Sequence, residues 1–186
     1  MANQELHVIF GTGPVGQAVS RELVKRGKMV KMVNRSGKKP GGVPEGVTVV
    51  AGDVFDANVA KQLAQGATHV YQCTNPPYDK WLEQFPTLQA NTLEAAASAG
   101  AKFIVMDNVY AYGDPNGQPI TEDLPYNAHT KKGQVRAQMA KDAGGFVPEL
   151  IPVVAPIRQP IAFDATPQED HAGKKEEDCS HGASLG

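Results

Sequence analysis

The sequence carries almost no excess charge: 18 Lys and Arg stand against 20 Asp and Glu, a formal net charge of −2. Without a basic stripe there is no electrostatic footprint for nucleic acid or an anionic membrane, and neither is expected as a partner. Long apolar runs are also missing. None reaches the roughly twenty residues that a spanning helix needs, and the opening MANQELHVIF has neither the basic start nor the apolar stretch of a secretion signal. Both absences lead to the expectation of a soluble, cytoplasmic protein. Cysteine is scarce. Cys73 closes an apolar run and Cys179 lies in a polar tail, which gives no disulfide framework and no paired zinc-ligand spacing. His171, Cys179 and His181 fit no common metal site, and no metal is expected.

What the chain does have is alternation. Its 186 residues, 41% of them hydrophobic, suffice for one domain with a sizeable core. The β-rich runs LHVIF, MVKMVN, VTVVAGDV, THVYQC and KFIVMD are interleaved with helical patterns over 14–26, 56–65 and 81–99. This order predicts a parallel sheet with helices on both faces. In the first helix Val15, Ala18, Val19 and Leu23 form the expected sheet-facing stripe, with Pro14 in the first turn and Gly27 just past the end. Over 81–99 the stripe is Leu82, Phe85, Leu88, Leu93 and Ala96, and Pro86 predicts a break into two helical pieces. Pro40 to Gly46 reads as a strand-to-strand turn, and 114–125 as the approach to a helix around 131–141. After Gly144 the periodicity fails, which predicts a divergent and largely disordered tail over 145–186. A further strand belongs at 147–155, where Pro148 and Pro152 oppose central pairing.

Gly11, Thr12, Gly13, Pro14, Val15 and Gly16 spell G-x-G-x-x-G between the first predicted strand and the first predicted helix. Gly11 permits the tight turn, Gly13 lets a pyrophosphate reach the main chain, and Gly16 allows close helix–strand packing, while the helix N-terminal amides face the anion. The expected ligand is a dinucleotide, and the expected fold over 1–144 is a Rossmann-like, doubly wound α/β domain. At the end of the second strand Asn34, Arg35 and Ser36 occupy the place where an NAD site commonly carries an acid. Asn34 is neutral and Arg35 can pair with a 2′-phosphate, so NADP(H) is favoured over NAD(H). A solvated basic loop of Arg35, Lys38 and Lys39 is the alternative.

The glycine loop is followed by GDV at Gly52 to Val54, CTNPP at Cys73 to Pro77 and NTLEAAASAGAKFIVMDN at Asn91 to Asn108. In these segments the chain resembles, from Leu6 to Ala140, the extended or atypical short-chain dehydrogenase/reductase superfamily and its NAD(P)-dependent epimerase/dehydratase group. The resemblance implies that Asp53 and Val54 contact adenine and that Thr74, Asn75 and Pro76 lie beside the nicotinamide ribose. A helix-capping Asp53 and a turn-forming Asn75 are the plainer alternatives. The resemblance also implies a catalytic Ser or Thr before VYAYG, where this chain has Asp107 and Asn108. The family's Y-x-x-x-K step places phenol and ammonium on one helical face. Here Thr130 stands four residues after Tyr126, with Lys131 and Lys132 next. Tyr126 and Lys131 are the nearest residues to that pair, although on a regular helix they would stand about 140° apart. His129 is a substitute acid.

Members of the group continue into a substrate lobe that this chain does not complete. The function implied is an NADP(H)-dependent oxidoreductase or epimerase-like activity on a carbonyl or alcohol of a small metabolite such as a nucleotide sugar, with a homodimer implied as well. A non-catalytic dinucleotide sensor similar to NmrA-like redox sensors, and an inactive truncated member, are the competing readings.

Overall fold

Val8, Ile9 and Phe10 are all fully buried, although neighbouring residues on a strand face opposite sides of its sheet. A strand buried on both faces belongs in the middle of a covered parallel sheet, and β1 (Leu6–Phe10) is the central strand. The structure, a computed structural model, describes residues 5–121 and 124–146. In it β2 (Met29–Asn34) and β4 (His69–Gln72) flank β1, and β3 (Thr48–Ala51) and β5 (Lys102–Val105) complete the order β3-β2-β1-β4-β5. All four pairings are parallel. The chain therefore winds outward from β1 in one direction, returns, and winds outward in the other. The place where it turns back, at the C-terminal ends of β1 and β4, is where open α/β sheets leave a crevice for ligands.

Register assigns the faces. Ile9 lies opposite Met32 and Tyr71, while Phe10 lies opposite Val33 and Gln72. On the first face α1 (Pro14–Lys25) lays Val19, Leu23 and Val24 against Ile9, Val30 and Met32, and Val43 and Val47 of the β2–β3 connection join them. On the second face α2 (Ala57–Ala64), α3 (Trp81–Ser98) and α4 (Lys131–Phe146) cover Val8, Phe10, Val33, Val70 and Phe103. Each large side chain removed from water here contributes about 1.5–3 kcal/mol. The doubly wound parallel sheet read from the alternation is present.

Two local expectations are corrected. Val15 and Ala18 are exposed rather than sheet-facing, because the first turn of α1 lies level with the Gly11 loop and not over the strands. Gly16 and Ser20 are the buried residues of that part of the helix. The second correction concerns Pro86, which does not divide its helix: α3 is continuous through it. Trp81, Phe85, Leu88, Gln89, Thr92, Leu93 and Ala96 hold one side of α3 in the core, whereas Pro86 and Leu82 are on the outside. The carbonyl that loses its donor to the proline therefore faces water, which can replace it.

No helix among the described residues is long and apolar enough to cross a membrane. The expectations for the chain after Phe146 lie outside the described residues.

Candidate functional site

Gly11 has φ +118°, and a Cβ on it would stand 2.7 Å from the Cys73 carbonyl oxygen. The loop after β1 and the loop after β4 thus meet main chain to main chain. At Gly16 a Cβ would overlap the Gly11 carbonyl oxygen and press on the Met32 side chain. Gly13 is different: a Cβ there meets nothing within 4 Å. It is the N-cap of α1, no side chain caps that end, and Pro14 follows it. The first-turn amides therefore face the crevice without a side-chain acceptor, which is the arrangement that receives a phosphate. The three glycines thus differ in what surrounds them: Gly11 abuts the Cys73 main chain, Gly16 packs chiefly on the loop itself, and Gly13 is open.

At the end of β2, Asn34 organises the loop that follows. Its Oδ1 accepts from Gly37 N at 2.7 Å and from Ser36 N at 3.1 Å, and its Nδ2 donates to Lys38 O at 2.8 Å and to Thr12 Oγ1 at 3.0 Å. The loop after β1 and the loop after β2 are one hydrogen-bonded unit. Lys39 is spent on the loop, donating to Pro44 O at 2.8 Å. Arg35 is exposed.

After β3, Asp53 is not a helix cap. Its Oδ1 accepts from Phe55 N at 3.0 Å, while Asp56 caps α2 by accepting from Asn58 N and Val59 N. Val54 is buried. Asn91 of α3, which the sequence did not single out, donates to Val54 O at 3.0 Å and to Phe55 O at 2.9 Å. It fastens the GDV loop at the edge of the crevice.

After β4, Cys73 N donates to Phe10 O at 2.9 Å. Burial pushes the Cys73 thiol up to about 12, so it is an inert core group. Thr74 is half-buried and Asn75 exposed, and Pro76 is buried with its carbonyl accepting from the Trp81 indole N–H at 3.2 Å. The loops after β1, β2, β3 and β4 bring all the expected cofactor residues to one edge of the sheet.

The catalytic expectations fare differently. Asp107 receives Arg136 Nε at 2.8 Å and also pairs with its Nη2, and Asn108 caps a short turn (Val109–Tyr112) by accepting from Tyr110 N at 3.0 Å. Both residues where the resemblance implies a Ser or Thr are therefore already bound, Asp107 to the Arg136 guanidinium and Asn108 to the Tyr110 amide. Thr130 Oγ1 accepts from Gly133 N at 3.1 Å at the start of α4. Tyr126 lies before that helix, exposed, with its ring 5.4 Å from that of Tyr112. Lys131 is the first residue of α4 and exposed. No contact joins Tyr126 to Lys131 among the described residues, and the five-residue helical step does not apply because the chain between them is not helical. Instead Tyr78, Trp81, Tyr110 and Lys132 gather beside Pro76. No sequence motif marks this group, whose members come from three separate segments.

No curated protein matches the chain. Among solved structures it is similar to the Bordetella bronchiseptica enzyme WbmG in complex with NAD, at 22% identity and a TM-score of 0.65, covering 76% of this chain and 49% of that one. It is similar to a UDP-glucose 4-epimerase at 19% identity and a TM-score of 0.66, covering 76% and 47%. For the UDP-N-acetylglucosamine 4-epimerase from Bacillus cereus the values are 16%, 0.61, 75% and 48%. The chain spans about half the length of these structures, and at such identities the likeness establishes the fold. A family model described as NAD(P)H-binding matches residues 11–142, from the first glycine of the phosphate loop into α4. Loop, crevice and family model coincide, and the chain belongs to the NAD(P)H-binding family.

Proposed function

We propose that the crevice binds NADP(H) in preference to NAD(H) and serves an oxidoreductase or epimerase-like reaction on a carbonyl or alcohol of a small metabolite, with a nucleotide sugar as one candidate. The observation that carries the reading is the open side of Gly13 at the uncapped N-terminus of α1, placed where the sheet reverses its order. Main-chain amides of the Gly11 to Gly16 loop would hold the diphosphate. Asp53 and Val54 would border adenine, and Thr74, Asn75 and Pro76 the nicotinamide ribose. At the 2′ position the rim offers Arg35 and the Ser36 hydroxyl and no acid, which supports a phosphorylated ribose. Bound nicotinamide supplies hydride chemistry. Tyr126 and Lys131 remain one proposed acid–base pair, although nothing in the fold links them.

A non-catalytic sensor is the second reading. It is favoured by Asp107 and Asn108, which stand where a hydroxyl would act and are already bound to Arg136 and to the Tyr110 amide. We place the protein in the cytoplasm, as a homodimer, on the resemblance alone.

Titration with NADPH and with NADH, followed by turnover on a panel of carbonyl substrates, tests the reading. NADPH is expected to bind more tightly, and Arg35→Ala to weaken NADPH about tenfold or more while changing NADH little. Equal losses remove the NADP preference. Tight binding without hydride transfer selects the sensor, and binding of neither nucleotide removes both readings.

A further inference from the structure

The aromatic group beside Pro76 has the parts of a proton-delivering site. Tyr78 follows β4 and Tyr110 follows β5, and they are 55% and 42% exposed, open to an incoming molecule. Trp81 stands beside both, its ring 5.0 Å from that of Tyr78 and 6.1 Å from that of Tyr110. The indole bond to Pro76 O fixes that ring against the segment proposed to border the nicotinamide ribose. From a third element, Lys132 in the first turn of α4 places its Nζ 3.3 Å from the centre of the Tyr78 ring. Gly133 lets the first turn of α4 lie against the main chain of Tyr110, where a Cβ would stand 2.6 Å from the Tyr110 carbonyl oxygen.

A phenol that gives up its proton spreads negative charge into its ring, and an ammonium over the ring stabilises that anion more than the neutral form. The Tyr110 hydroxyl holds its proton more firmly than an ordinary tyrosine, first through hydrogen bonding to the Tyr78 side chain and then through burial, with Lys132 acting in the other direction. The two phenols are thus in hydrogen-bond contact, and a hydroxyl that can both donate and accept lets a proton pass between them.

We infer that Tyr78 is the residue that gives a proton to the substrate oxygen, with Tyr110 renewing that proton and Lys132 positioned to hold the phenolate. This rests on the dinucleotide reading above, from which the reductant, a reduced nicotinamide, is taken. As the carbonyl carbon gains a hydride from that reductant, its oxygen takes the Tyr78 proton. The Tyr78 O–H bond breaks, the alcohol O–H bond forms, and the Tyr78 phenolate takes the Tyr110 proton, which water replaces.

Two readouts separate the cluster from the cofactor reading. In the nucleotide-free protein, carbon-13 NMR at tyrosine Cζ follows each phenol through an alkaline titration. Tyr78→Phe is expected to bring Tyr110 down towards the ordinary tyrosine value, and Lys132→Met to raise Tyr110 further. A Tyr110 titration unmoved by Tyr78→Phe overturns the inference whether or not nucleotide binds. Wild-type protein that binds neither NADPH nor NADH defeats the dinucleotide reading and the inference resting on it, whatever the titration gives. In turnover with NADPH and carbonyl substrates, Tyr78→Phe is expected to lower kcat about 100-fold with NADPH affinity unchanged. Lys132→Met is expected to lower it less, and Lys132→Arg to restore part of the loss. Tyr110→Phe serves as a second probe should Tyr78→Phe lose its cooperative thermal transition. Unchanged turnover in Tyr78→Phe, a Tyr126→Phe variant that loses turnover while Tyr78→Phe keeps it, or a wild-type protein that binds NADPH and reduces no carbonyl each overturns the inference.

Discussion

Gly11 and Gly13 sit two residues apart under different constraints, one set by the protein's own main chain and the other by an open crevice. Gly11→Ala must accept both a positive φ and a Cβ against the Cys73 carbonyl. It is expected to cost about 2–4 kcal/mol in urea denaturation. Gly13→Ala meets no atom within 4 Å, so the denaturation midpoint should stay near wild type while NADPH affinity falls about tenfold, a loss of about 1.4 kcal/mol in titration. If both variants lost stability alike, the assignment of Gly13 to a ligand would fail. The tight turn at Gly11 was legible in the sequence because its positive φ and the close approach of the Cys73 main chain suit only glycine. The hub at Asn34 was legible only as a missing acid, since its hydrogen bonds to residues 36, 37 and 38 depend on how the loop turns back. Tyr78 and Lys132 could not be read at all. They are far apart in the chain, and nothing in either neighbourhood marks the contact.

Single elements are held to the sheet by a few polar ties, and the strongest joins α4 to the end of β5. Arg136 is 1% exposed and stacks over Phe85 at 4.2 Å, while its partner Asp107 is 28% exposed. Removing the carboxylate leaves a buried cation without its counter-charge, whereas removing the cation leaves an acid that water can reach. Asp107→Ala is therefore expected to cost about 3–5 kcal/mol, and Arg136→Leu clearly less, by denaturation of each variant. Equal costs would place the stabilisation in packing instead of charge.

At the other end of the sheet, His7 of β1 and His69 of β4 stack with ring centres 4.4 Å apart. Burial holds both below the ordinary imidazole range, and for His7 the neighbouring His69 adds to the effect. The unfolded chain takes up these protons first, near pH 6.5, so stability is full above that pH and falls as acid is added below it. Glu5, held below the usual carboxylate range by Lys28, acts only further down the scale. The urea midpoint should drop between pH 7 and pH 5, and His69→Gln should flatten the drop. At this scale the sequence yielded every strand among the described residues and the start of α1. It missed at Pro86, because a proline on a solvated face leaves its orphaned carbonyl to water. The helix read around 131–141 is α4, so Tyr126 lies ahead of it and its distance from Lys131 is set by the irregular chain between them.

Across the whole molecule, the NAD(P)H-binding family model covers residues 11–142, and the chain spans about half the length of its structural neighbours. A ligand that binds only the folded state raises stability with its concentration. At a hundredfold excess over its dissociation constant the gain is about 2.7 kcal/mol. Thermal unfolding with NADPH or NADH at equal concentration should therefore give the larger upward shift with NADPH, and an identical shift would tell against the Arg35 rim. Composition had set these bounds early, since even charge and scarce cysteine left a small-molecule crevice as the main prospect. The contact of Gly11 with Cys73 bears on the whole molecule too. Because two backbones abut there with no side chain between them, the two loops proposed to receive the ends of a dinucleotide share one rigid datum. The spacing between them acts as a fixed ruler, and a ligand of the wrong span finds no swivelling side chain to make up the difference.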